Sequence, residues 1–150
     1  MKDLTEHLKK AKARVLHKNK IKFNVSNEEE CLAAVEIDGS NIENIPNPSE
    51  AVQLKAVNQE IWNVKYIMYP TEKVQLVAIG VSGIGIGFIK KPSEMVQLKA
   101  VSIDGDVLGQ IAHPTERVII EAIRQDKRAI QYVHIDCLSE ETKEVLMYLV

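Results

Sequence analysis

A 22-residue period constrains this chain more than any other feature. Pro48-Ser49-Glu50, Pro70-Thr71-Glu72, Pro92-Ser93-Glu94 and Pro114-Thr115-Glu116 stand 22 residues apart, and Ser26-Asn27-Glu28 opens a fifth copy without the proline. Each copy continues with matching apolar columns: Leu32, Leu54, Leu76, Leu98 and Ile120; Ala34, Ala56, Ala78, Ala100 and Ala122; Val35, Val57, Ile79, Val101 and Ile123. Two later columns hold Ile42, Val64, Ile86, Leu108 and Ile130, then Ile45, Ile67, Ile89, Ile111 and Val133. So short a unit cannot bury its own apolar face. Copies must stack into a continuous core, and the ends must be capped.

One copy reads as a helix, a turn and a shorter helix. Proline suits the first helical position, where its missing N–H would be unpaired anyway. The glutamate two residues on then meets the positive end of the helix dipole. Val52, Leu54, Ala56 and Val57 mark a buried face about two turns long. Alanine in every copy fits a close helix–helix contact. Gly39, Gly83 and Gly105 share a position where a helix end often turns left-handed. Ile61 and Lys127 hold that position elsewhere, so those two turns are expected to differ. The second helix has only two obligatory apolar positions, three apart, which suits partial 3-10 character.

The expected fold is therefore all-α: a right-handed α-solenoid of about five 22-residue helix-turn-short-helix repeats. It is expected to form a single domain over 1–150. Residues 1–25 would supply a basic capping helix and half-repeat, 26–135 the five repeats, and 136–150 the C-terminal cap. Residues 3–18 pattern as an amphipathic helix, and Val145, Leu146 and Leu149 line a closing one. Apolar residues all round that last helix suggest cover from the array or from a second copy, a possible homodimer, and make a self-assembling structural repeat protein one alternative function.

Composition narrows the class. Apolar residues make up 45% and charged residues 27%, as in soluble globular chains. No apolar run approaches the ~20 residues of a membrane span. Two cysteines are too few for a disulfide framework, so a cytoplasmic setting is the default. Charge is uneven: residues 1–25 carry eight Lys/Arg against two acids, and 26–150 carry eleven against nineteen.

The unit Asn47-Pro48-Ser49-Glu50-Ala51-Val52-Gln53-Leu54-Lys55-Ala56-Val57 resembles short helical repeats of bacterial and bacteriophage proteins of unknown function, whose pattern runs roughly NPSEEVQLAAVKQNGxAIxYI. The likeness covers about 26–135 and recurs in each copy. The chain is also similar, more loosely, to leucine-rich-repeat-variant solenoids, which alternate an α-helix with a short 3-10 helix. The first resemblance implies a phage or prophage origin and a superhelical α-solenoid. It brings no catalytic motif. Phage proteins of this size often bind and inhibit a host protein, so the resemblance implies a host-protein partner, such as a defence or nucleic-acid-processing factor.

Several constellations carry residue types suited to a site. Gly80-Val81-Ser82-Gly83-Ile84-Gly85-Ile86-Gly87 lacks the spacing and the preceding strand of a phosphate loop. It reads as close packing, a partner's close approach or a hinge, in the weakest helix of the array. His113, His134, Asp136 and Cys137 are plausible zinc ligands without a supporting pattern, so no metal or other cofactor is expected. Cys31 shares a column with glutamines and has no histidine placed to activate it. Gln53, Gln75 and Gln97 form either a hydrogen-bonded ladder or a recognition surface. No acid/base pair or nucleophile stands out, so no enzyme is expected.

The aromatic column Tyr66, Phe88 and Tyr132 covers the second-helix layer or, if exposed, anchors a partner. Trp62 occupies a column otherwise held by Ser40, Ile84, Asp106 and Arg128, so it reads as an exposed anchor or as partly buried under a neighbour. Glu28, Glu29 and Glu30 open the densest acidic patch, with Glu36, Asp38 and Glu43. It is either a solubilising surface or a mimic of nucleic-acid charge. Lys9, Lys10, Lys12 and Arg14 would contact phosphates in the alternative reading, binding of nucleic acid through the first helix.

Overall fold

Each period folds as one α-helix followed by one 3-10 helix. The computed structural model describes residues 25–80 and 82–150. Its elements are α1 (Glu28–Ile37), η1 (Gly39–Asn44), α2 (Glu50–Gln59), η2 (Ile61–Tyr66), α3 (Glu72–Ile79), η3 (Ile84–Phe88), α4 (Glu94–Ile103), η4 (Gly105–Gln110), α5 (Glu116–Gln125), η5 (Lys127–Tyr132), η6 (Ile135–Cys137) and α6 (Glu140–Leu149). No strand occurs among the described residues. The fold is an all-α repeat solenoid, and its second helices are 3-10 throughout. Backbone contacts group the chain into two compact units, one through Ala78 and one from Ile79. In the first, α1 packs on α2 and η1 on η2; in the second, α4 packs on α5, η4 on η5, and α6 on α5.

The helix starts explain the Pro-Ser/Thr-Glu signature, with one shift from expectation. Ser49, Ser93 and Thr115 are the caps, and their hydroxyls accept from the N–H of Val52, Val96 and Val118 at 3.4 Å. Each such cap is worth about 1 kcal/mol. Proline thus stands one residue before the cap and not at the first helical position. Its fixed φ suits the extended entry. Its carbonyl is used as well: Gln53, Gln75 and Gln97 donate through Nε2 to Pro48, Pro70 and Pro92 at 2.9, 3.0 and 3.1 Å. Gln53 Oε1 also accepts from the N–H of Thr71 in the next copy, at 3.2 Å. The glutamines thus bond to backbone, each to the carbonyl of the proline that opens its own copy.

The helix ends correct a second expectation. Asp38, Glu60, Asp104 and Asp126 close their helices in the same extended conformation, with φ between −143° and −151°. The turns before Ile61 and Lys127 therefore match those before Gly39 and Gly105. Among the described glycines only Gly80 (φ 57°) and Gly83 (φ 75°) are left-handed. At Gly39 and Gly105 the need is space alone, because a Cβ at either would run into the following copy, as one on Gly83 also would, 2.9 Å from the Ala100 carbonyl oxygen. Their bare N–H groups donate to Gln59 Oε1 and Gln125 Oε1 at 2.7 and 2.6 Å. The same amides reach back to the carbonyls of Glu36 and Ile103 at 3.1 and 3.4 Å. The copy that departs is the glycine-rich one. There α3 has eight residues where the other repeat helices have ten, and η3 has five where the others have six.

The core is aliphatic and small. Buried helix positions are Val52, Gln53, Ala56 and Val57, repeated as Val96, Gln97, Ala100, Val101 and as Val118, Ile119, Ala122, Ile123. The alanine column has no solvent exposure at Ala34, Ala56, Ala78, Ala100 or Ala122. The leucine column, expected in the core, lies outside it. Leu32, Leu54, Leu98 and Ile120 are half-buried, and Leu76 is 37% exposed. At about 100° per residue, Val52, Gln53, Ala56 and Val57 share one arc, and Leu54 falls beyond its edge.

Candidate functional site

In the unit through Ala78, η2 is held by its buried Asn63 and Val64, with Ile67 buried just after it. Asn63 Nδ2 donates to the carbonyl of Ala56 at 3.0 Å, as Asn41 does to Ala34 at 2.9 Å in the copy before. The remaining side chains of the segment turn outward. Trp62 is 46% exposed, Tyr69 is 77% exposed and Met68 is exposed beside it. Tyr66 is half-buried and lines a groove of about 580 Å³ with Ile45, Pro46, Pro48, Met68 and Tyr69. The Lys65 ammonium lies 4.8 Å from the centre of the Tyr66 ring. Glu60 caps η2 without a side-chain bond, whereas Asp38, Asp104 and Asp126 each accept from the backbone of their own 3-10 helix. The segment therefore exposes Trp62, Met68 and Tyr69, and its cap residue Glu60 makes no side-chain bond to the 3-10 backbone.

In the unit from Ile79, Ile84 and Phe88 are exposed on η3. Tyr132 is partly exposed but engaged. Its hydroxyl donates to Asp106 at 3.0 Å, and its ring lies where a Cβ on Gly109 would go. The bond to the Asp106 carboxylate raises the phenol above its ordinary value. Tyr132 thus packs one copy onto the last. On α6, Thr142 and Leu146 are buried, while Met147 and Tyr148 are exposed, as is Val150 just after it.

The acidic patch is largely in structural use. Glu28 accepts from the Ser49 hydroxyl at 2.6 Å, Glu36 lies 3.7 Å from Lys55, and Asp38 accepts from Ser40. Glu29 and Glu43 are exposed, and Glu30 is half-buried. Lys9, Lys10, Lys12 and Arg14, with the capping helix expected over 3–18, lie outside the described residues.

His113, His134 and Cys137 line one cavity of about 520 Å³. No group of three or more His, Cys, Asp or Glu among the described residues is placed to hold a metal ion. Burial pushes the Cys31 thiol up, and Glu30 and Glu28 push it the same way. A thiol so placed is a poor nucleophile at neutral pH. No described helix is long and apolar enough to cross a membrane.

Glu116 ties the closing helix to the array. One oxygen accepts from Ser139 N at 2.7 Å, and the other from Ser139 Oγ at 2.7 Å and Thr142 Oγ1 at 2.6 Å. The Thr142 and Ser139 bonds hold its carboxyl below the ordinary value. A carboxyl lowered on folding contributes stability that is complete above its unfolded pKa, about 4.3. That stability is lost as pH falls through the lower, folded value. Amides of Glu140–Leu149 are accordingly expected to lose hydrogen-exchange protection below about pH 4.3, ahead of those in α4. In Glu116→Gln they should start less protected and show little further loss over that range. Equal acid sensitivity in both proteins would refute this role for Glu116.

Met68 and Tyr69 were not anticipated as surface anchors. Their signal was variability: the two positions read Pro46-Asn47, Met68-Tyr69, Lys90-Lys91 and Ala112-His113 in successive copies. No family model, curated protein or solved structure matches this chain.

Proposed function

We propose that this chain is a non-enzymatic protein-binding module, which engages a host protein through the exposed face of η2 and the loop after it. The supporting observation is the exposure of Trp62 on η2 and of Met68 and Tyr69 after it, the last two lining one groove with Tyr66. Tryptophan and tyrosine are enriched at the centres of protein interfaces, where truncation often costs about 2 kcal/mol or more. A rigid repeat array also presents such side chains without ordering a loop on binding, which lowers the entropic cost of association. The resemblance to phage-borne helical repeats supports a bacterial protein as the partner and inhibition or modulation as the outcome.

The test is retention from bacterial lysate on the immobilised chain, with and without nuclease, read by mass spectrometry. One host protein is expected in both lanes. Its dissociation constant should rise about 30-fold or more in Trp62→Ala and Tyr69→Ala. A catch that vanishes with nuclease would sink this reading and favour nucleic-acid binding through Lys9, Lys10, Lys12 and Arg14.

A further inference from the structure

The columns that hold Met68 and Tyr69 in one copy hold Lys90 and Lys91 in the next. In the unit from Ile79, the loops after η3 and η4 flank a groove of about 490 Å³. Its apolar wall is Ile89, Pro92, Ile111 and Ala112. Its charged groups are Lys90, Lys91 and, when protonated, His113, and no carboxylate lines it. Lys90 and Lys91 are exposed and make no ion pair among the described residues. Glu94, two residues past Pro92, is engaged by the Thr115 hydroxyl, which donates to it at 2.6 Å. The groove therefore carries one sign of charge and favours a negatively charged occupant.

A second observation is independent of charge. Gln97 lines the same groove, is only 8% exposed, and is bonded at one end of its amide. Its Nε2 donates to the Pro92 carbonyl, while its Oε1 is buried with no donor. A desolvated acceptor without a partner destabilises the protein until a donor reaches it. The column itself shows which donor suits the position. In the unit through Ala78, Gln53 donates to Pro48 in the same way, and its Oε1 receives the backbone N–H of Thr71. Gln97 lacks that second bond.

The lining also selects against other occupants. Single-stranded nucleic acid gains much of its affinity from stacking on aromatic side chains, and none lines the groove. A helix keeps its backbone N–H groups for its own carbonyls beyond the first turn. An extended segment offers them.

We propose that this groove binds an acidic segment of a partner protein in extended conformation. One backbone N–H of the segment bonds to Gln97 Oε1, its carboxylates face Lys90 and Lys91, and an aliphatic side chain rests against Pro92 and Ala112. The site uses none of the residues assigned to the function above, and it stands or falls independently of that function.

The experiment selects binders to the whole chain from displayed peptides of roughly eight residues, about 26 Å when extended. Their positions vary among Glu, Lys, Val and Ala. Glutamate is expected to be enriched over lysine. Selected peptides should lose about tenfold or more in affinity to a Lys90→Glu, Lys91→Glu double variant, and none to Trp62→Ala. Raising the salt should weaken them. Methylating the peptide nitrogens one at a time should reveal a single N–H whose loss costs about tenfold against the natural chain and little against Gln97→Met. Both lysines are exposed, so the double variant folds even if Gln97→Met does not. No enrichment, enrichment of lysine, or unchanged binding to the double variant would each overturn the proposal. Tighter binding of a thymidine oligonucleotide than of any selected peptide would overturn it too, and would assign the lysines to phosphates.

Discussion

Ile123→Ala is expected to destabilise the chain by about 3 kcal/mol, and Leu98→Ala by less than about 1 kcal/mol. Ile123 has no solvent exposure, and it sits beside Ala122, which has none either. Removing three carbons there leaves a cavity, because backbone approaches set by the alanine column cannot close over it without separating the helices. Leu98 has the same hydrophobicity but faces an open groove, so truncation leaves a dent that water fills. Thermal unfolding of the two variants measures the contrast directly. For a chain of this length, each kcal/mol moves the midpoint by roughly 2–4 °C. A Leu98→Ala variant as unstable as Ile123→Ala would return the leucine column to the core.

The period and the short second helix were legible because stacking forces every copy to present one face in one register. The details that escaped were those where one residue type serves two geometries. Proline is tolerated both at the first helical position and one residue before the cap. The hydroxyl columns at Ser49, Thr71, Ser93 and Thr115 decide between them, since a cap must precede the helix. Glycine likewise serves a left-handed turn or a close contact. Gly39 and Gly105 are followed twenty residues later by Gln59 and Gln125, whereas Gly83 is followed by Ile103. That difference marks the glycines whose N–H a glutamine binds, while the close approach is shared, since a Cβ on Gly83 would meet the Ala100 carbonyl oxygen at 2.9 Å.

The surface was harder to read for a related reason. Columns that repeat report packing, so they draw attention to residues that serve the array itself. Tyr132 repeats an aromatic of earlier copies, yet Gly109 and Asp106 bind its ring and hydroxyl into the stack. Glu28 looked like part of an acidic patch and is the acceptor for the next copy's cap hydroxyl. Met68 and Tyr69 sit in columns that share nothing between copies, which is how a position free of packing duties looks in a repeat. Leu54 and Leu98 are the exception, a column that repeats without being buried.

Gly105→Ala is expected to cost about 2–3 kcal/mol, the second large effect. Gly105 has ordinary φ, so strain in the backbone of the variant is not the cause. The new methyl group would meet the carbonyl oxygen of Ala122 and, at 2.9 Å, Oε1 of Gln125. One obstacle is backbone in the most closely packed column of the array and the other is a side-chain end. Gln125 can swing aside at the cost of its 2.6 Å bond from the Gly105 N–H, but Ala122 can move only with α5. Adding Gln125→Ala should therefore recover at most about 1 kcal/mol of the loss, the worth of one hydrogen-bond rearrangement. Gly80→Ala supplies the contrast. Nothing lies within 4 Å of its Cβ position, so its cost is confined to the left-handed φ of 57°, about 1 kcal/mol. Chemical denaturation of the three variants orders these effects. If Gln125→Ala restored Gly105→Ala to wild-type stability, the glycine would be there for the glutamine clamp alone. A residual loss near 2 kcal/mol assigns it to the approach of α5, which makes every copy with glycine at this position dependent on the backbone of the next.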